Sequence, residues 1–280
     1  MQMMKRLRTF SVIVLMAIGG VFTQAEVDKS TAVSDADGQI VWYNCNQFPI
    51  EGKGWKETES YYDRLPAKAK GVVPEAIWGL SHHSAGMAIR FKTESAVLKV
   101  RWTVINANLA MPHMPATGVS GVDLYFKDAK GKWRFRGNGR PTGPTNTVEW
   151  SVNPGMEYAL YLPLYNGVKS LELGIHKEKG LTILPPLSEK PVVFFGTSIN
   201  QGACVSRPGM AGTSIVSRAL GVTVINLGFS GNGRMEQSME AFLNELDPSV
   251  YVMDCMANMT PEQVTERTIP FLKAIREARP

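Results

Sequence analysis

Three residues suited to acyl-transfer chemistry lie in the last third of the chain: Ser198, Gly231 and Asn258. Each follows a run of β-branched, aliphatic and aromatic residues, and the three runs are 191–195, 224–227 and 250–253. A serine hydroxyl can serve as a nucleophile, while a backbone N–H and a side-chain amide can stabilise an oxyanion. The residue types and their order therefore indicate a hydrolase with a serine nucleophile.

The apolar runs must form the elements that bring these residues together. Continuous apolar runs are typical of buried parallel strands, and ligands bind an open α/β sheet beyond the carboxyl ends of its strands. Each residue also has a commoner structural role when taken alone. Ser198 could cap the following helix, the glycines of 228–233 could serve a tight turn, and Asn258 could form a turn or cap a helix before Pro261.

The hydrophobic pattern divides the chain into two parts. Between residues 26 and 183, short segments with period-two alternation, such as Leu98 to Val104, are separated by turn clusters, which predicts an antiparallel β-sandwich. Residues 184–190 contain Pro185-Pro186 and are expected to form a linker. From residue 191 onward, strands alternate with helical patterns at 235–246 and 261–277, which predicts an α/β domain.

The first 25 residues have the features of a signal peptide. Lys5, Arg6 and Arg8 precede an apolar segment that is too short to span a bilayer, and small residues follow at the cleavage positions. We therefore expect an exported protein, periplasmic or extracellular, that has no membrane contact once the leader is removed. A retained membrane anchor is the alternative. Removing the leader lowers the formal charge from +5 to about +2, with no basic stripe, which argues against nucleic-acid binding.

The chain has three cysteines, Cys45, Cys204 and Cys255, which are too few for a disulfide scaffold. Cys204 and Cys255 are both expected near the ligand crevice, either bridged or as two small buried thiols. The sequence contains no Cys-x-x-Cys or His-Glu-x-x-His spacing, so it indicates no metal and no cofactor.

The combined motifs resemble those of SGNH/GDSL hydrolases. Gly196-Thr-Ser-Ile199 is similar to the first block, Ser230-Gly-Asn-Gly233 to the second, and Met256-Ala-Asn-Met259 to the third. Gly121-Val-Asp-Leu-Tyr125 resembles the Gly-x-Asp-Leu-Tyr signature of a β-sandwich that precedes some members. The resemblance implies a flavodoxin-like, three-layer α/β domain at 191–280. It also implies that Ser198 is the nucleophile and that Gly231 and Asn258 donate to the oxyanion.

The family's fourth block, an Asp-x-x-His that supplies the general base, has no counterpart before Pro280. Only three strands are predicted after the linker, and doubly wound domains usually have more. We therefore expect 191–280 to be the N-terminal part of the hydrolase domain, and the 280-residue chain by itself to be inactive. All four histidines, at positions 82, 83, 113 and 176, lie in the sandwich part, where surface or turn positions are expected for them. We also expect the sandwich to be the more stable part, with limited proteolysis ending near Pro185-Pro186.

The sequence thus predicts an exported serine esterase that cleaves small acyl esters, with acetyl groups on carbohydrate as the expected substrates. The carbohydrate preference rests on the resemblance and on six tryptophans, all in the sandwich part, that could stack on sugar rings. Two alternatives remain open. One is a carbohydrate-binding protein whose α/β part has lost catalysis, and the other is an acyltransferase that uses the same serine with an alcohol acceptor.

Overall fold

A computed structural model describes residues 25–280 of the protein, so the predicted signal peptide lies almost entirely outside the described residues. Two antiparallel sheets occupy the first part, with strand orders β1-β11-β4-β9-β6-β7 and β2-β3-β10-β5-β8. Their strands are β1 Ala25–Glu26, β2 Val33–Ser34, β3 Ile40–Asn44, β4 Ala88–Thr93, β5 Val97–Val104, β6 Val122–Lys127, β7 Trp133–Gly139, β8 Thr145–Ser151, β9 Glu157–Tyr161, β10 Val168–His176 and β11 Leu181–Ile183. Two short helices accompany them, α1 Glu75–Ser81 and α2 Ala116–Val119.

The alternating residues of the sandwich strands behave as their pattern predicts. In β5, Leu98, Val100, Trp102 and Val104 are buried while the residues between them are partly exposed. Side chains alternate across a strand, so one face of β5 lies in the core between the sheets. The predicted antiparallel sheets are therefore confirmed.

The second part contains a three-stranded parallel sheet in the order β13-β12-β14. Gly196, at the end of the central strand, pairs in register with Gly228 on one side and Asp254 on the other. All three strands therefore end at one edge. The elements are β12 Val192–Gly196, α3 Ser198–Gln201, α4 Gly212–Leu220, β13 Val224–Gly228, α5 Glu240–Leu243, β14 Val250–Asp254 and α6 Pro261–Ala278.

Both faces of the parallel sheet are covered. On one face, Asn226 donates to Asn200 O and Thr213 Oγ1, which belong to α3 and α4. On the other, Phe195 and Leu227 pack in one core cluster with residues of α5 and α6. The same cluster contains Leu65, Ala69, Val73 and Ile77, which precede or form α1. A segment from the sandwich part of the sequence thus completes the core of the α/β part.

Arg64 joins the two parts through hydrogen bonds to main-chain carbonyls. The residue is 2 % exposed, and its guanidinium donates to Leu80 O and His83 O on one side and to Asn226 O and Gly228 O on the other. Burial lowers the pKa of Arg64 to about 9. Residues 184–190 between the parts have no regular structure but are anchored, since Leu187 N–H donates to Glu51 Oε2 at 3.1 Å.

Candidate active site

Ser198 is the first residue of α3, directly beyond the end of the central strand. Thr197 is the N-cap, and its Oγ1 accepts a hydrogen bond from Ile199 N–H at 3.3 Å. The interpretation of Ser198 as the cap is therefore wrong, because its neighbour has that role. Ser198 is partly exposed, and its hydroxyl makes no hydrogen bond to another residue of 25–280. The hydroxyl is therefore available to a further hydrogen-bond partner.

The loop of 229–233 crosses the end of β12. Phe229 N–H donates to Gly196 O at 2.8 Å, and a Cβ on Gly233, where φ is +67°, would overlap the same carbonyl oxygen. Only glycine fits at 233, since the position needs both a left-handed conformation and a missing side chain. Gly231 lies at the exposed tip with φ of +70°. Its N–H has no acceptor among the described residues, so it can donate to a ligand.

Asn258 lies in a single 3₁₀ turn, Met256–Asn258, that follows β14. Its Nδ2 donates to Asn232 O at 2.7 Å, which ties the third motif to the second. An amide nitrogen carries two hydrogens, so one remains for a further acceptor. The helix that follows is capped by Thr260 in a capping box with Gln263, so the alternative role of Asn258 as its cap is wrong.

Residues of the sandwich part line this site. The Oε1 atom of Gln201 accepts from Ser230 N–H at 2.9 Å, and its Nε2 donates to Leu164 O at 3.2 Å and contacts His83 Nδ1 at 3.1 Å. Tyr165 donates from its hydroxyl to Ser198 O at 3.5 Å. Sequence reasoning missed His83, Leu164 and Tyr165 because they lie more than thirty positions upstream of Ser198 and match no motif.

None of the histidines in residues 25–280 is hydrogen-bonded to the Ser198 hydroxyl. Burial, together with the nearby charges of Arg64 and His82, lowers the pKa of His83 to about 3, so His83 is neutral at physiological pH. His82 instead binds the buried carboxylate of Asp63, with 2.9 Å between Nδ1 and Oδ2. His82 lies in the turn after α1, as expected from the sequence, whereas His83 is partly buried and contacts Gln201 at the site.

Cys45, Cys204 and Cys255 are all free in the structure, which decides against the bridge between the last two. Cys204 is exposed, whereas Cys255 is buried with its Sγ 3.5 Å from Phe195 O. Burial raises the pKa of the Cys255 thiol to about 12, so it is inert. Residues 25–280 contain no cluster of three or more His, Cys, Asp or Glu side chains placed to hold a metal ion.

Comparison with known proteins identifies the family. Residues 40–181 match the family described as the GxDLY N-terminus of SGNH-hydrolase-type esterases. Residues 189–280 match the GDSL-like lipase/acylhydrolase family. The chain therefore belongs to the GDSL-like lipases and acylhydrolases, in the group with a GxDLY domain before the hydrolase domain.

The solved structures that resemble the chain include the following two. A crystal structure assigned as a GDSL-like lipase from Bacteroides ovatus is 36% identical, with a TM-score of 0.81, and the match covers 86% of this chain and 72% of that one. The salicylyl-acyltransferase SsfX3 of a tetracycline biosynthetic pathway is 16% identical, with a TM-score of 0.65, covering 89% of this chain and 70% of that one. The second likeness shows the shared fold alone. No curated protein matches the chain significantly.

Proposed function

We propose that the protein is an exported serine esterase that hydrolyses small acyl esters, with Ser198 as nucleophile and Gly231 and Asn258 as oxyanion donors. The observation that carries the proposal is the register of the parallel sheet. Pairing of Gly196 with Gly228 and Asp254 brings the three motifs to one edge. The hydrogen bond from Asn258 to Asn232 O then joins the two oxyanion motifs.

In the proposed reaction, Ser198 Oγ attacks the ester carbonyl carbon while a general base takes its proton. The Gly231 N–H and the free Asn258 amide hydrogen donate to the developing oxyanion. When the tetrahedral intermediate collapses, the ester C–O bond breaks, the base returns its proton to the leaving oxygen, and the neutral alcohol departs while the acyl group stays on Ser198. In the second half of the reaction, water gives a proton to the base and attacks the acyl-enzyme, the carboxylic acid is released, and Ser198 Oγ recovers its proton. The family's Asp-x-x-His block would supply the base.

The proposed substrate is a small acyl ester of a carbohydrate, with acetyl as the acyl group. Three of the six tryptophans, at 42, 102 and 150, are buried in the sandwich, which leaves Trp55, Trp78 and Trp133 partly exposed for contact with a sugar ring. Export is proposed from the leader-like residues 1–25. None of the helices in residues 25–280 combines the length and apolar character needed to cross a bilayer.

Hydrolysis of p-nitrophenyl acetate by the full-length enzyme tests the proposal. Ser198→Ala should lower kcat/KM by at least about 10⁴-fold, since the serine carries the covalent step. Ser249→Ala is the matched control, because Ser249 is exposed next to the start of β14, at the opposite end of the same sheet. A Ser198→Ala enzyme with wild-type activity would refute the assignment. Transfer of acetyl to an added sugar in preference to water would identify an acyltransferase instead.

A further inference from the structure

We propose that Asp123 is a positioning residue of the acyl-transfer site: from the sandwich it fixes the loop of residues 203–210, and through that loop it holds Ser198. The inference rests on the proposed function of Ser198. Asp123 is the acidic residue of Gly121-Val-Asp-Leu-Tyr125, and this motif lies on β6, far from the nucleophile in sequence.

Asp123 is 0 % exposed, and each polar partner of its carboxylate is a donor. Its Oδ2 accepts from Gly209 N–H at 2.8 Å, in the loop that follows the nucleophile helix. Its Oδ1 accepts from Asn138 Nδ2 at 2.7 Å, and Arg207 Nε lies 3.4 Å from Oδ2. Burial raises the pKa of Asp123 to about 6, opposed by these donors and by Arg218, so the group is ionised above neutral pH.

The carbonyl oxygen of Gly209 is hydrogen-bonded as well. Arg218 Nη2 donates to Gly209 O at 2.6 Å, and its guanidinium lies 4.1 Å from the ring centre of Tyr125, the last residue of the motif. A Cβ on Gly209 would overlap that ring. Asp123 and Tyr125 point to the same side of β6, as residues two apart on a strand do. The side of β6 that carries Asp123 and Tyr125 therefore packs against the Gly209 peptide.

The loop is connected directly to Ser198. Gly202 N–H and Ala203 N–H both donate to Ser198 O, at 3.0 and 2.9 Å. Ser206 O accepts from Thr117 Oγ1 at 2.6 Å, which gives the loop a second attachment to the sandwich. The first residue of the loop is hydrogen-bonded to Ser198 O, and Gly209 near its other end is hydrogen-bonded to Asp123. Loss of the bond to Asp123 should therefore let the loop move, and with it the backbone that orients Ser198.

A carboxylate is required at this position because all its partners donate. An asparagine would direct its own NH₂ at either Gly209 N–H or Asn138 Nδ2, leaving a buried donor unpaired. Asp123→Asn should therefore release the loop while changing the volume of the side chain little.

The test measures amide hydrogen exchange over residues 198–211, and kcat and KM for p-nitrophenyl acetate, in the full-length enzyme at pH 8. Asp123→Asn should speed exchange at 203–210 and lower kcat by about 10- to 100-fold, the effect of misplacing a reacting group by about 1 Å. KM should change by less than about 2-fold. Arg207→Gln removes the partly exposed ion-pair partner, together with its hydrogen bond to the Tyr125 hydroxyl and its contact with the Phe135 ring. It should still fold and shift both measurements in the same direction by a smaller amount.

Asp128→Asn is the matched control, because Asp128 follows the same strand but binds exposed Arg134 at 2.8 Å. It should leave exchange and kcat unchanged. Wild-type exchange and kcat in folded Asp123→Asn and Arg207→Gln, with activity still abolished by Ser198→Ala, would overturn the positioning role and leave the proposed function standing. A wild-type enzyme without esterase activity would overturn the proposed function, and the role of Asp123 in catalysis with it.

Discussion

Asn258 has two tasks in the proposed site. One amide hydrogen binds Asn232 O at 2.7 Å and keeps the turn after β14 against the loop after β13. The other is available to a ligand. The structural bond orients the amide before substrate arrives, and preorganised donors stabilise a transition state most effectively.

Asn258→Ala in the full-length enzyme should lower kcat by about 100- to 1,000-fold with little change in KM, the usual cost of removing one oxyanion donor. Steady-state kinetics with p-nitrophenyl acetate measures the effect. Asn46→Ala, at an exposed position in the sandwich, is the control and should leave kcat and KM unchanged. A wild-type kcat in Asn258→Ala would show that Asn258 has only a structural role in its turn.

At the level of elements, two glycines allow a matched test of how closely the loop of 229–233 must approach β12. Gly221 and Gly233 both have φ of +67°. No atom lies within 4 Å of where a Cβ on Gly221 would sit, whereas a Cβ on Gly233 would overlap Gly196 O.

Gly221→Ala should cost about 1–2 kcal/mol of unfolding free energy, the strain of a left-handed alanine. Gly233→Ala should cost about 1–3 kcal/mol more, because the main chain must also move to relieve the overlap with Gly196 O. Urea denaturation of both variants measures the difference. Equal losses would show that the close approach of Gly233 to Gly196 is not required for folding.

Much of the element pattern could be predicted from the sequence. The helix predicted at 261–277 is observed as Pro261–Ala278, since its start carries a capping box and its apolar residues recur at helical spacing. The helix predicted at 235–246 is wrong at both ends. Met235 has φ of +53° and a 3₁₀ turn follows, so only Glu240–Leu243 is α-helical. Helical periodicity did not reveal this local left-handed residue.

The candidate site was predictable where motif residues lie within a few positions after the end of a strand, as Ser198 and Asn258 do. Tyr165 and His83 were not, because they reach the site only through packing of the sandwich on the α/β part. Their contacts with Ser198 O and Gln201 depend on the positions of several strands. Such tertiary contacts leave no periodic signal in the sequence.

For the whole molecule, the structure argues against independent stability of the two parts. Leu65 to Ile77 pack on the parallel sheet, and Arg64 binds carbonyls on both sides. The sequence-based expectation of a protease-resistant sandwich ending near Pro185-Pro186 treated the parts as separate. With their cores shared, we now predict one cooperative unfolding transition.

Pulsed thiol labelling across a urea series tests this prediction. Cys45 is buried in the sandwich core and Cys255 in the α/β core, and both are 0 % exposed. The two thiols should become reactive at the same urea concentration. Labelling of Cys255 well below the midpoint for Cys45 would show that the α/β part opens first.

The central claim, that Ser198 forms a covalent acyl intermediate, is tested most directly by trapping that intermediate. The full-length enzyme is mixed with p-nitrophenyl acetate, quenched in acid during the burst of p-nitrophenol release, and mapped by peptide mass spectrometry. We predict one acetyl group on the peptide that contains Ser198, and neither burst nor acetylation there in Ser198→Ala. A burst that persists in Ser198→Ala, or an acetyl group trapped on a different residue, would contradict the account.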